Sequence, residues 1–424
     1  MQDLLTRLLA ALLSTIPSSV WLIVPKAGKA TGLTNKDQDQ SNEGFLKDTI
    51  NMLDFFIPRI DEILIDDDRV NGTISLVCEK LIAPTLRSKM FPDNLSVAFL
   101  HLLLELTEAA PTSKSWRKEI ADALNDPRFF SIDVTLFSLG WAPILKRWTM
   151  LENKIPELIG RLAIPATGGL FSNSGPLVAR GEADRKTQLT LRRIALLVLA
   201  SDADACVPSL STLEEKLTQL LTATTSTSPS TAIRADIYLL YRILLLRVPS
   251  SQLRFWTVIH QELRLGLLAF AYPESTDTFS RDAIWQLCKL LDSLVTMAPD
   301  EFQPYQWMYI DDSLDAVYHS SKKGPTSLLA RISEEILSGE VTGPVAGPRP
   351  ASIPVASKSR GGRMPFLAGH HLNGGSEAST IDTVIRRFMK QLSIWTYEQT
   401  YCMGKFDLQV CLDDVSHDLF PHSN

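Results

Sequence analysis

The sequence predicts an all-α protein made of helices stacked on helices. Three observations carry that prediction. Residues 234–318 read as three helices in a row with short polar joints. No run of period-2 alternation, the mark of a half-buried strand, occurs anywhere in the 424 residues. Helix follows helix along most of the chain, mostly two or three turns or more each. That pattern suits an α-solenoid-like stack of degenerate helix pairs of the armadillo or HEAT type, in which each pair buries its face against the next. No strict sequence period is visible, so any repeats are degenerate.

Residues 234–248 (RADIYLLYRILLLRV) are apolar on nearly every side, broken by Asp236, Arg242 and Arg247. A helix apolar all round belongs inside a large α protein. Residues 253–270 follow Pro249 and carry Trp256, Ile259, Leu263 and Phe270 along one stripe. Residues 280–297 set Ile284, Leu287, Cys288, Leu291, Leu294 and Val295 on one face at 3.6 residues per turn, before Pro299 stops the helix.

Taken in order, the chain divides into an N-terminal helical block (1–164), a Gly- and Ser-rich loop (165–186), a C-terminal helical block (187–338), a disordered Gly/Pro/Ser-rich linker (339–379), and a terminal helix with its tail (380–424). In the first block helices are expected at 4–16, 44–65 with a kink at Pro58, 70–82, 95–109, 113–124, 134–153 and 155–164, with a polar loop at 25–43. Asp66, Asp67 and Asp68 read as solvated helix-end charge, because no glycine or glutamate follows at calcium-loop spacing. His101 reads as a core or groove histidine. Ser211-Thr212-Leu213-Glu214 reads as a capping box opening a helix that runs to about 222. The linker lacks periodicity, and residues 341–375 hold Arg349, Lys358, Arg360 and Arg363 with no acid. The tail is acidic around Asp413 and Asp414.

Composition bounds the function. Hydrophobic residues at 45% and charged residues at 21% are ordinary for a globular chain, so a core can form. A net charge of −6 gives no reason to expect nucleic acid. Cys78, Cys206, Cys288, Cys402 and Cys411 are odd in number, far apart and free of any CxxC, which points to buried thiols in a reducing compartment. The apolar run Leu8 to Val24 mimics a signal peptide, but Asp3 precedes it and Pro17-Ser18-Ser19 interrupts it. It is also shorter than the ~20 residues of a membrane span, so a cytosolic helix is expected.

Catalysis needs a nucleophile beside a base, or a base beside an acid. No GxSxG, HExxH, phosphate-binding loop or kinase signature is present, and His370-His371 reads as an incidental polar pair in the linker. No catalytic, cofactor-binding or metal-ligating residue is therefore expected. Two groups remain as candidate contacts. Phe302, Tyr305, Trp307 and Tyr309 form a dense aromatic run of the kind that anchors protein partners. Arg349, Lys358, Arg360 and Arg363 suit an anionic membrane, each basic residue contributing about 1 kcal/mol near such a surface. A non-enzymatic scaffold fits these features. The alternatives are a direct anionic-lipid-binding module and an enzyme with an unrecognised site.

Three stretches carry a resemblance. The first is Ser115-Trp116-Arg117-Lys118-Glu119-Ile120 followed by Asp126-Pro127-Arg128-Phe129-Phe130. The second is Tyr241 to Val248 (YRILLLRV), leading into Leu253, Phe255-Trp256 and Glu262-Leu263. The third is Cys288-Lys289-Leu290-Leu291-Asp292, followed by Phe302-Gln303 and Tyr305-Gln306-Trp307. Over residues 95–318 their order and spacing resemble the C-terminal region of the Dopey family of large cytosolic proteins. The resemblance implies a non-enzymatic scaffold in Golgi and endosomal traffic that sits peripherally on membranes. It implies two protein partners, a large HEAT-type scaffold related to Arf exchange factors and a type-IV P-type ATPase flippase. It brings no catalytic residues. Family members are much longer than 424 residues, so it also implies that this chain is a C-terminal fragment or a truncated gene product.

Overall fold

In the computed structural model the described residues are 2–14, 36–162, 176–223, 231–272, 279–310, 327–332, 362–371, 378–400 and 405–420. Every regular element among them is helical, and the β structure amounts to an isolated parallel bridge between Arg363 and Phe406. The predicted all-α class holds. The helices pack as two compact units, Met1–Lys154 with Phe420–Asn424, and Ile155–Leu419.

In the first unit, α1 (Gln2–Ser14) is followed by α2 (Lys36–Phe56), which starts inside the stretch expected as a loop. Pro58 ends it in a 3₁₀ turn, Ile57–Arg59, before α3 (Ile60–Ile63). The acidic run has a local use. Asp66 caps α4 (Asp67–Val77) by accepting the Asp68 N–H at 3.2 Å, and Asp67 and Asp68 sit in the first turn, where negative charge suits the helix dipole. A π-turn (Cys78–Ile82) leads to α5 (Ala83–Leu86). Ser96 and Ser113 cap α6 (Val97–Ala109) and α7 (Lys114–Asn125) in the same manner. A 3₁₀ turn (Pro127–Ser131), α8 (Val134–Leu136), a π-turn (Phe137–Trp141) and α9 (Ala142–Glu152) complete the unit.

Its core is aromatic. Trp116, Trp141, Phe99 and Phe129 are fully buried, the Phe129 and Trp141 rings meeting edge-on at 4.9 Å. Phe420 lies 4.9 Å from Phe137 in the same cluster. The tightest approach is at Gly140, where an added Cβ would stand 2.7 Å from Leu100 Cβ and 2.4 Å from its Cδ1. Leu100 Cβ is fixed by the backbone, so the two helical segments must separate to admit a methyl group. Gly140→Ala is expected to cost about 1–3 kcal/mol by overpacking, read as a lower urea midpoint. His101 departs from the core or groove reading. It is exposed, its Nδ1 lies 2.6 Å from Asp54, and that hydrogen bond raises its pKa.

In the second unit, α10 (Lys154–Arg161) is followed by α11 (Pro176–Ala200). Part of the expected loop at 165–186 is thus helical, with Pro176 at the first position, which its fixed φ suits. Residues 163–175 lie outside the described ones. α12 (Val207–Ala223) begins four residues before Ser211, so Ser211 to Glu214 sit within a helix and cap nothing. The Glu214 carboxylate instead accepts the Arg254 N–H at 2.8 Å. α13 (Thr231–Arg247), α14 (Trp256–Ala271) and α15 (Arg281–Met297) follow, then a 3₁₀ turn (Gln303–Met308), α16 (Ala378–Thr400) and α17 (Leu408–Leu419).

α13 is the inner helix the sequence predicts. It is buried without a break from residue 236 to 245 and touches α11, α14, α15 and α17. α15 goes further than its one-faced pattern, being buried all round from Ala283 to Thr296, Lys289 and Asp292 included. Cys78, Cys206, Cys288 and Cys411 are buried free thiols, and Cys402 lies outside the described residues. No helix among the described residues is long and apolar enough to cross a membrane.

Candidate interaction site

The polar residues of α13 are its most informative feature. Apolar packing is non-directional and leaves a greasy helix free to slide or rotate; hydrogen-bonded ion pairs fix its register. The polar residues of α13 engage several different neighbours. Asp236 takes a hydrogen bond from Arg192 Nε at 2.8 Å and from Gln188 Nε2 at 3.2 Å, both on α11. Arg234 donates to Glu262 on α14 and to the Leu221 carbonyl, and the same Glu262 accepts the Tyr238 hydroxyl. Arg242 reaches α17, donating to Asp414 and, at 2.6 Å, to Asp418.

The Arg242 link is the centre of a larger cluster. Asp414 and Asp418 stand one turn apart on α17 and therefore face the same way. Lys289 of α15 places its ammonium 3.0 Å from Asp414 and 2.9 Å from Asp418. Gln286 Oε1 takes a further Arg242 N–H at 2.8 Å. Arg242 and Lys289 are each 1% exposed, so neither charge is shared with bulk water. Two cations face two carboxylates, and the cluster is neutral. Burial alone would raise the Asp418 pKa; Lys289, Arg242 and a hydrogen bond from His371 overcome it and hold the carboxyl well below its ordinary value.

His371 belongs to this cluster and is not an incidental linker residue. Its Nδ1 lies 3.1 Å from Asp418 and its ring stacks on His417 at 4.8 Å. His371, Asp414 and Asp418 approach closely enough to suggest a metal triad. The space between the two carboxylates, however, holds the Lys289 ammonium in ordinary salt-bridge geometry. The donor set fits a lysine.

His371 arrives on a strap, residues 362–371, within the stretch expected to be disordered. The strap runs beside Lys405 to Asp407: Arg363 donates to the Lys405 carbonyl at 3.1 Å and accepts from the Asp407 N–H at 2.7 Å. Leu367 is fully buried, and Phe366 meets Phe388 and Trp395 of α16. Asp292 of α15 accepts the Phe366 and Leu367 N–H groups at 3.0 and 2.6 Å. Burial pushes the Asp292 carboxyl up to about 7 against those two donors and nearby Arg242. The folded state therefore holds this proton more tightly than the unfolded chain, whose carboxyl titrates near 3.8. Its contribution to stability is full below that value and declines as pH rises toward about 7. Asp292→Asn is expected to flatten the fall in stability between about pH 4 and pH 7 in urea titrations.

The aromatic run divides in two. Phe302 and Tyr309 are buried and cluster with His260, the three ring centroids 5.8–5.9 Å apart, with the Tyr309 hydroxyl 2.8 Å from His260 Nδ1. They support the core and cannot meet a partner. Tyr305 and Trp307 are 46% and 69% exposed, next to the partly exposed Met308. Of the basic candidates, Arg349, Lys358 and Arg360 lie outside the described residues, and Arg363 is the half-buried first anchor of the strap. Sequence reasoning missed Asp414, Asp418 and Lys289, whose partners are up to 176 residues away along the chain. The signal within reach was the i, i+4 carboxylate pair in an otherwise apolar-periodic segment, opposite two cations in greasy helices.

Comparison with known proteins gives a consistent result. The model of the DOP1 C-terminal family matches residues 1–402. The protein dop1 of Emericella nidulans is 34% identical over 99% of this chain, and the protein DOP1 of Saccharomyces cerevisiae is 24% identical over 88%. DOP1B of Xenopus laevis is 24% identical over 50%. These alignments cover 22%, 21% and 10% of the respective relatives, so the chain spans about a fifth of the length of the two fungal proteins. No solved structure matches.

Proposed function

The chain belongs to the DOP1 C-terminal family, and from that premise we propose that it is the partner-binding portion of a non-enzymatic scaffold in Golgi and endosomal vesicle-mediated protein transport. The proposed partners are an Arf-exchange-factor-related HEAT scaffold and a type-IV P-type ATPase flippase. The proposed location is the cytosolic face of those membranes, held there peripherally. The observation that supports a scaffold is how the buried charges are used. Arg234, Asp236, Arg242 and Lys289 all tie helices to helices, which makes a rigid body, while Tyr305 and Trp307 stand out from it. Exposed aromatics on a rigid support are what hot spots are made of.

The test is affinity capture of the full protein from its native source, with co-purifying proteins identified by mass spectrometry. The expected result is recovery of an exchange-factor-related scaffold. Trp307→Ala with Tyr305→Ala is expected to lower that recovery while leaving stability within about 0.5 kcal/mol, because neither side chain is buried. Recovery of neither proposed partner, or recovery indifferent to both substitutions, sinks this reading.

A further inference from the structure

The strap is held as peptides are held when a receptor reads backbone for affinity and a few pockets for identity. Its main chain is captured by buried carboxylates: Phe366 and Leu367 N–H on Asp292, and Gly369 N–H on Asp414 at 3.2 Å. Its Met364 carbonyl takes the Trp395 Nε1–H at 3.2 Å, and its Met364 N–H goes to Gln399 at 3.2 Å. Two side chains supply identity, the fully buried Leu367 and Phe366 against the Phe388 and Trp395 rings. Gly362 passes so near the Lys405 carbonyl that a Cβ would come within 2.9 Å, and Gly369 adopts φ +78°, which favours glycine. The residues flanking this seated segment are rich in Gly, Pro and Ser and lack helical periodicity.

Asp292 decides what kind of site this is. The carboxylate is almost wholly buried, and the hydrogen bonds it accepts come from the strap. With the strap lifted away the Asp292 carboxylate loses both of those donors, an unfavourable state unless another main chain supplies them. Such a groove exchanges one occupant for another. We infer that residues 363–371 are a tethered ligand occupying a peptide-binding groove between α15, α16 and α17, and that the groove accepts in trans an extended segment of the same chemistry, Pro-Phe-Leu followed by a small residue and Gly, on a partner protein. The tethered strap competes at a high effective concentration, so the trans segment binds fully only where the strap is weakened or outcompeted. The inference names one surface of the proposed scaffold but does not need its cellular role. Peptide capture in vitro stands even if affinity capture from cells recovers nothing.

The test uses the full chain and a fluorescent peptide of sequence RMPFLAGHH, read by anisotropy. Phe366→Ala with Leu367→Ala removes both of these side chains, and this variant is expected to bind the peptide roughly tenfold or more tighter than the unaltered chain. A peptide with both residues replaced by Ala is expected not to bind. If the variant folds by circular dichroism and binds no tighter, the inference is overturned. If it sediments as a dimer, the occupant is a second copy, and the partner-segment form is overturned. Should the variant fail to fold, hydrogen exchange on the unaltered chain decides. The Phe366 and Leu367 amides are expected to exchange by local opening, faster than those of α15; exchange in step with α15 makes the strap an inseparable part of the core and overturns the inference.

Discussion

Asp418→Ala is expected to destabilise the second unit by about 3–5 kcal/mol. The substitution removes the acceptor of Arg242 Nη1 at 2.6 Å, of Lys289 Nζ at 2.9 Å and of His371 Nδ1 at 3.1 Å in one stroke. Two cations, each 1% exposed, are then left to Asp414 alone. The cost is the uncompensated buried charge, and it is larger than the worth of the intact pairs, since burial also strips them of water. A companion variant makes that distinction measurable. Replacing Arg242, Lys289, Asp414 and Asp418 together by apolar residues of similar size is expected to cost far less than Asp418→Ala, or nothing. Urea unfolding followed by hydrogen exchange, which reads each unit separately, is the measurement.

The same carboxyl sets an acid limb. Its folded pKa is depressed below the 3.8 of the free side chain. The stabilisation is therefore present above about pH 4 and is lost as pH falls through and below that value. Asp292 slopes the other way, losing its contribution as pH rises toward about 7. The cluster is thus expected to be most stable near pH 4, where both contributions are present, and Asp418→Ala is expected to remove the acid limb only. An unchanged acid limb in that variant would assign acid sensitivity to other groups.

Trp116→Ala is the second large effect, expected at about 3–5 kcal/mol and confined to the first unit. The indole is fully buried on α7, and its Nε1–H donates to the Ala110 carbonyl at 2.9 Å. Truncation opens a cavity and leaves the Ala110 carbonyl, at the end of α6, with the Ser113 N–H alone. Trp116→Phe keeps most of the volume but not the donor, so its own loss isolates the hydrogen bond at about 1 kcal/mol, and the difference between the two variants isolates the packing. Equal losses for Ala and Phe would mean that the hydrogen bond, and not the packing, holds this corner.

The helices were legible because their signals are local. Pro58 and Pro299 stop helices wherever they fall, and residues 234–248 are too apolar to face water. Boundaries were lost where side-chain signals mislead. Ser211 and Glu214 have capping-box spacing, yet α12 already runs through them because its apolar residues start earlier. The charged cluster was hidden for another reason. Asp413 and Asp414 look like one acidic tail in sequence, but only Asp414 faces inward; nothing local separates them, and the cations that do are on α13 and α15. The strap was invisible because its hold is through main-chain N–H groups, which every residue except proline possesses. The aromatic run was half legible: density was evident, but which rings point inward depends on His260, far upstream.

The position of α17 bears on how this region should be trimmed. The family model's match stops at residue 402, although the similarity to the Emericella nidulans protein covers 99% of the chain, and the two aspartates that satisfy Arg242 and Lys289 come after that residue, at 414 and 418. A shortened version cut at residue 402 would discard the last 22 residues, α17 among them, and leave two naked positive charges inside the second unit. Insolubility of such a version would then report a missing counter-ion and say nothing about the role of the retained part.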